Sequence, residues 1–405
     1  MFISLGARNV RRNRSRSALT LGAIFFGVVL TVLLAAFGNG LGTLMVNDVV
    51  FSRMGAIQIH GKGYADQKDN QPLKIDMPEG GALEGRLRAV PAVVSVAPRL
   101  VFGGMVNNGS EGTMFVARGI DPVREYATLP WAQKDIAGKP IAADAPSAGA
   151  IGGELREALR IKLGGSVILQ ATTQAGRQNA LDLDIVGSLE NANAFESKRV
   201  LHVPLAYAQT LVGMPGRVTE YAVRVRDLGD VDAVATRLRA ALGPDFEVDT
   251  WRRLQPNLAD LIAFQRVIIG IVSAVFLIIV VFGVINTMVM SVLERTREIG
   301  TMMALGMRRA SIGVLFLVEA AFLATFGAGL GAAVARALVA IVTARGGFAM
   351  AAPGGNVARY HLVPVVPPAI IGLAVAASIV GALGAALYPA WKATRLRPVE
   401  ALRAN

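Results

Sequence analysis

The chain has 405 residues, 53% of them hydrophobic and only 17% charged, with 41 Lys+Arg against 29 Asp+Glu, three His and no Cys. Soluble domains run nearer about 25% charged, so the chain is too apolar for an ordinary soluble enzyme, and without cysteine it has no disulfide, thiolate metal site or Cys nucleophile. The length leaves room for a membrane part and a water-facing part, each able to bury a core.

The first sixteen residues hold Arg8, Arg11, Arg12, Arg14 and Arg16 and no acid, and residues 17–47 then carry no charge over 31 positions. A bilayer core of about 30 Å needs about 20 apolar residues in a helix. A signal-peptide h-region is only about 7–15 residues long. The run therefore reads as a retained first span.

Residues 48–266 alternate instead. Strands are expected at 56–60, 93–106, 112–120, 166–170, 181–186 and 219–225. Asn107-Asn108-Gly109-Ser110 reads as a hairpin turn, because Asn and Gly accept positive φ. A helix is expected at 231–242, capped by Asp230 and ended by Gly243, with shorter ones at 154–161 and 205–212. The pattern predicts an α+β domain of two lobes, joined near the Pro- and Ala-rich stretch 137–147. It shows no catalytic constellation. His60 and His202 stand 142 residues apart without neighbours at ligand or triad spacing. Asp182 and Asp184 read as a solvated strand face, and Gly38-Asn39-Gly40-Leu41-Gly42 lacks the lysine and preceding strand of a P-loop.

Trp251, Leu254, Leu258, Leu261 and Gln265 recur at helical spacing, so the second span, within the uncharged run 267–293, is expected to continue outward as a stalk. Leu41, Leu44, Met45 and Asp48 allow the first span to do the same. Two such helices would carry displacement outward; the alternative is a long, tilted span. In the loop 294–309, Glu294 and Glu298 lie one turn apart, flanked by Arg295 and Arg297, and Ile299, Met302, Met303 and Met307 form an apolar edge. Such an element rests on headgroups or fits a partner's groove, and composition alone favours headgroups.

The third span, within 310–342, is interrupted by Glu319, about 14 Å deep at about 1.5 Å per residue. An intramembrane carboxylate is costly, so either a hydrogen bond to groups such as Asn286 and Thr287 or a substrate or proton role is expected. Gly327 and Gly331 form a GxxxG, and Ala377, Gly381 and Ala385 repeat small residues, which predicts close helix packing within one subunit or between two. A loop at 343–363 leads to the fourth span, 364–391, and a basic tail, 392–405.

Residues 48–266 hold 25 basic and 25 acidic groups. The net +12 therefore lies elsewhere, mostly in the N-terminus, the loop 294–309 and the tail. Short positive segments stay cytoplasmic, which puts both termini and that loop inside and the neutral domain outside. Basic groups that flank spans form no nucleic-acid stripe. The expected fold is an α-helical membrane protein with four transmembrane helices and a large two-lobed α+β extracytoplasmic domain between the first two.

ERTREIGTMMALGMRR resembles the cytoplasmic loop of ABC transporter permeases of the MacB/FtsX/LolC–LolE type, and the resemblance covers essentially the whole chain. ARNVRRNRSRSALTLGAIFFGV resembles the entry into span one, MGAIQIHGKGY and FVARGIDP resemble outer-domain segments of lipoprotein-release-like members, LFLVEAAFLATFGAGLG resembles span three and YPAWKATRLRPVEALR the exit from span four. The resemblance implies a multi-pass protein of the bacterial inner membrane. It implies a second permease subunit, identical or related, a separate ABC ATPase dimer that binds ATP and Mg2+, no cofactor in this chain, and a periplasmic partner as an option. It divides the outer domain into a porter-like lobe, about 48–130 and 218–250, and an inserted lobe, about 131–217, followed by a stalk and span at 251–293. The loop 294–309 becomes a coupling helix, with Glu294, Arg295, Arg297, Glu298, Ile299, Gly300, Ala304, Leu305 and Gly306 as the ATPase contact. That reverses the preference for headgroups. The implied function is mechanical coupling of ATP hydrolysis to export or release of a lipophilic substrate from the outer leaflet or periplasm, lipoprotein release leading. Export of peptides, antibiotics or lipids is one alternative, and a relay that activates a periplasmic cell-wall hydrolase is another, less suited to so large an outer domain. With no ATPase site in the sequence, the ATPase is expected in trans.

Overall fold

A computed structural model describes residues 14–64, 66–67, 72–190, 194–351 and 359–395. Most of the expected basic N-terminus and tail, and part of the loop 343–363, lie outside the described residues. In chain order the elements are α1 (Arg14–Asp48), β1 (Ile57–Gly61), β2 (Met77–Pro78), α2 (Gly81–Arg88), β3 (Val93–Asn107), β4 (Gly112–Ile120), α3 (Pro122–Thr128), β5 (Ile136–Gly138), β6 (Ala148–Gly152), α4 (Gly153–Ala158), β7 (Ser166–Thr172), β8 (Gln178–Leu189), α5 (Ala194–Ser197), β9 (Val200–Pro204), α6 (Leu205–Val212), β10 (Arg217–Val218), β11 (Glu220–Val225), α7 (Val231–Leu242), β12 (Phe246–Thr250), α8 (Trp251–Leu254), α9 (Pro256–Glu294), α10 (Thr296–Ala304), α11 (Arg309–Ala344), β13 (Phe348–Ala351), β14 (Arg359–Leu362) and α12 (Pro368–Thr394). They form two compact units, one helical and one built on Leu44–Asp260.

In the helical unit, α1, α9, α11 and α12 are long and apolar enough to cross a membrane. The shortest has 27 residues, about 40 Å at 1.5 Å per residue against a core of about 30 Å. The expected stalk is not one helix. Trp251 and Leu254 lie on α8, and Gln255 breaks away at φ −128°, ψ 66° because the residue before a proline avoids helical geometry; Pro256 then opens α9. The bundle core joins Ile24, Val28 and Val32 of α1, Val280, Val284 and Met288 of α9, Phe316 and Leu323 of α11 and small residues of α12. A Cβ on Gly331 would lie 2.8 Å from the carbonyl oxygen of Phe25, and one on Gly327 would lie 3.2 Å from Cβ of Ile24. The GxxxG therefore seats α11 on α1 with the backbones close. Gly381 meets Leu277 of α9, so both small-residue contacts are made within this chain.

In the outer unit, β1, β3, β11 and β12 pair antiparallel in the order β12-β1-β11-β3. With α2 after β1 and α7 between β11 and β12, this is a ferredoxin-like β-α-β-β-α-β arrangement. Leu83 and Leu87 of α2 and Val231, Val234, Leu238 and Leu242 of α7 are its buried helix faces. Asp230, expected to cap α7, makes no side-chain cap bond. Asp227 instead accepts from the Gly229 amide at 2.8 Å, closing the turn Leu228–Asp230 that leads into α7.

The strand β3 has fifteen residues and serves twice. Its first half pairs with β11 and its second half with β4, while Gly104–Asn107 also pair with β7. From β4 the pairing runs through β9, β6, β8 and β7 back to β3, a ring of six strands with parallel pairs at β4/β9 and β6/β8. Closure removes free edges along the ring. Gly104 permits it, since a Cβ there would strike the Gln170 carbonyl and the Phe115 ring. The β3–β4 turn is the expected hairpin: Asn107 Oδ1 accepts from the Gly109 amide at 2.6 Å and Gly109 takes φ +97°. β3 and β4, counted above with the porter-like lobe, thus supply two strands of the ring.

Candidate functional site

Between α9 and α11 the chain turns twice. Arg295 leaves helical geometry at φ −102°, ψ 13°, and Gly306 takes φ +90°, a conformation that favours glycine. α10 lies between these breaks. Ile299 is buried in the bundle core beside Met288, Val292, Ile312 and Phe316, and Met302, Met303 and Met307 pack against the same cluster. The apolar edge read above as a surface for headgroups or a partner is therefore partly taken up by the bundle itself, with Ile299 buried and the three methionines half-buried. The outward face carries Glu294, Arg297, Ala304, Leu305 and Gly306, with Leu305 83% exposed. Glu298 is at the border, and Arg295, Ile299 and Gly300 turn inward. The nine residues of the expected ATPase contact thus divide into an outward set and an inward set.

Arg295 is the hub of the inward set. Its Nε donates to Glu298 Oε2 at 3.1 Å, its Nη1 donates to Glu319 Oε2 at 3.4 Å, and its guanidinium lies 5.9 Å from the Phe316 ring centre. Glu319 thus makes a structural hydrogen bond, one of the two readings given above, with Arg295 as its donor in place of Asn286 or Thr287. Asn286 is exposed on α9, about 100° around the helix from its neighbour Thr287. The Thr20 hydroxyl of α1 donates to that of Thr287 at 2.8 Å. Ser17, Thr20, Thr287, Ser291 and Glu319 border a cavity of about 20 Å³, so one polar layer links α1, α9 and α11. Farther along the bundle, α1, α9 and α12 frame a groove of about 690 Å³ whose lining includes Thr31, Leu277, Leu373, Ala374 and Arg266.

The outer unit buries a second arginine. Arg99 is 1% exposed; its Nε donates to both oxygens of Glu125 at 3.1 and 3.0 Å, and its Nη1 donates to Glu220 Oε1 at 3.1 Å. Despite burial, which opposes the charge, these carboxylates raise its pKa. Arg99 pairs with Glu220 of β11 and with Ile120 of β4, at the point where β3 passes from the ferredoxin-like strands to the ring. Beside it, His60 is fully buried, with Nε2 3.6 Å from Glu220 and Nδ1 4.0 Å from Asp249, stacked on Tyr64. His202 faces Arg118 across β9/β4, and burial, then Arg118 and Arg99, hold its pKa well below the ordinary value. Among the described residues no group of three His, Cys, Asp or Glu is arranged to hold a metal ion. These groupings had no local signal: Glu125 and Glu220 stand 26 and 121 residues from Arg99.

The family model described as MacB-like periplasmic core domain matches residues 17–241, more than half of the chain, and the one described as FtsX-like permease C-terminal matches residues 270–398. The chain belongs to the family of FtsX-like ABC transporter permeases with a MacB-like periplasmic core domain. Its relatives include a protein of Shewanella sp. (strain ANA-3) named macrolide export ATP-binding/permease protein MacB, 26% identical over 96% of this chain and 58% of that protein. An uncharacterized ABC transporter permease of Methanocaldococcus jannaschii is 26% identical over 54% of each chain. The chain thus spans little more than half the length of such curated relatives. Among solved structures, the periplasmic region of MacB from Actinobacillus actinomycetemcomitans aligns with 54% of this chain and 98% of that one, at 12% identity and a TM-score of 0.36.

Proposed function

We propose that this chain is the permease and mechanotransmitting subunit of an ABC exporter, driven by a separate ATPase dimer that binds ATP and Mg2+ and presses on the outward face of α10. One observation carries the reading. α10 joins two membrane helices, seats its apolar side on the bundle and turns Arg297 and Ala304 outward, with Leu305 and Gly306 exposed just past its end. A helix already seated by its apolar face does not need headgroups to cover it, and a charged rim around one exposed leucine suits a protein groove. On this reading the arginine-rich termini and α10 face the cytoplasm of a bacterial inner-membrane protein and the β-rich unit faces the periplasm.

The permease works as a dimer with a copy of itself or a related chain. In support, α9 keeps Phe264, Ile268, Ile271, Val275 and Phe282 exposed and presents Asn286 from an exposed face, where a polar side chain strengthens helix association. The outer unit acts as two lobes, the ferredoxin-like strands and the six-stranded ring, held together where β3 changes partners. The substrate is lipophilic: the groove between α1, α9 and α12 is mostly apolar with Arg266 in its lining. The names of the relatives favour export of a macrolide-like compound, and lipoprotein release is the second reading, supported by that same groove. Arg297→Glu tests the coupling, with an expected fall in ATPase co-purification and in stimulated hydrolysis from the full complex; values equal to those of the unsubstituted chain would refute it.

A further inference from the structure

We propose that the Arg295–Glu319 ion pair is a mechanical joint that fixes the first turn of α10 to α11, so that a push on α10 reaches the third span as well as α9. This rests on reading α10 as the ATPase-facing helix.

α10 has nine residues and is bounded by breaks at Arg295 and at Leu305–Gly306, so its covalent links to α9 and α11 are rotatable. Its apolar seat is mostly methionine. Met302, Met303 and Met307 are unbranched and adaptable; they resist separation from the bundle but tolerate sliding and rotation over it. A directional contact is needed to make α10 and α11 move together, and Arg295 supplies it. Its guanidinium holds Glu298 on α10 and Glu319 on α11 at once, over the Phe316 ring one turn before Glu319.

The Arg295 and Glu319 side chains are only 11% and 8% exposed. A solvated pair in that position would contribute little, whereas breaking a buried one leaves a charge without its partner. Glu319 also borders the hydroxyls of Ser17, Thr20, Thr287 and Ser291, so the joint sits where α1, α9 and α11 share their polar layer.

The chain has no cysteine, so introduced ones are unique. Spin labels at Thr301, exposed on α10, and Val314, exposed on α11, report the distance between the two helices in the full chain bound to its ATPase, with and without ATP. The joint predicts one narrow distribution that ATP leaves in place. Glu319→Gln should retain ATPase association yet broaden the distribution and make it shift with ATP. The exchange of Arg295→Glu with Glu319→Arg should restore the narrow form, which a purely local packing defect would not. The proposal is overturned if Glu319→Gln stays narrow, if the unsubstituted chain shifts with ATP as far as the variant does, or if the exchange restores nothing. If the unsubstituted chain binds no ATPase, the ATPase reading falls, while the widths without ATP still decide whether the pair fixes α10.

Discussion

Arg99 and Arg295 are both turned inward, and they are held differently. Arg99 lies inside an unbroken strand and meets two carboxylates, Glu125 and Glu220, that are buried with it at 2% and 3% exposure. Arg295 lies at a chain break and meets one buried carboxylate, Glu319, and one that is 43% exposed, Glu298. The outer unit thus closes its charges into a satisfied centre where β3 changes partners. The helical unit places its charge where two helices joined by a turn would otherwise slide against each other. A buried ion pair is not by itself evidence of stability; its place in the chain decides whether it freezes a junction or transmits through one.

The comparison breaks most visibly at Arg99. Arg99→Met leaves Glu125 and Glu220 buried without their cation, and the expected loss is about 3–5 kcal/mol, seen as fast hydrogen exchange in β3 and β11 of the full chain. Adding Glu125→Leu and Glu220→Leu should recover most of it, because an apolar set replaces the ion network. A smaller loss, about 1–3 kcal/mol for overpacking, is expected for Gly331→Val, whose side chain meets the Phe25 carbonyl. Gly329→Val is the control, since a Cβ there has nothing within 4 Å, and detergent melting curves should separate the two.

Acid separates the regions more gently. The folded pKa of His202 lies well below its ordinary value, so folding favours the neutral ring. Its contribution is complete above the unfolded value of about 6.5 and is lost as pH falls from there toward the folded value, no faster than about 1.4 kcal/mol per pH unit. Asp76 and Asp121 are the opposite charge type. Burial raises their pKa, but Arg217 with Gln174 for Asp76, and the Arg124 backbone and side chain for Asp121, outweigh it and leave both lowered. Their contribution stands above about pH 4 and fades below it. The protection factors of the β9 amides, with the intrinsic pH dependence of exchange divided out, should therefore fall from pH 7.5 to 5.5, and His202→Gln should flatten that difference. The smallest stability effect is expected at Leu305→Ser, within about 0.5 kcal/mol, because Leu305 is exposed; ATPase co-purification should nonetheless fall.

The spans were legible because a bilayer demands a countable run of apolar residues. β4 was legible at residues 112–120 by alternation and α6 was expected as a short helix at 205–212, and the structure gives the same limits. β6 (AGAIG) was not, because all five residues are buried and a strand covered on both faces shows no alternation. β9 was missed in the same way, with four of its five residues buried. Trp251 and Leu254 matched the helical spacing of α9, yet the proline rule at Pro256 outweighs periodicity. In the candidate site, the pattern of Ile299, Met302 and Met303 revealed an amphipathic helix but not which neighbour takes its apolar face. Glu319 was visible as an oddity in a span, while its partner Arg295 was not, because that contact spans 24 residues and depends on how the chain turns after α9. Asn286, one position from Thr287, shows how far a single residue rotates a side chain on a helix.

The most direct test places a photoactivatable cross-linking residue at Leu305, on the outward end of α10, or at Asn108, in the β3–β4 hairpin, of the full chain in native membranes. The account predicts that Leu305 captures an ABC ATPase subunit and Asn108 captures none. Capture of lipid alone at Leu305, or of the ATPase at Asn108, would contradict it.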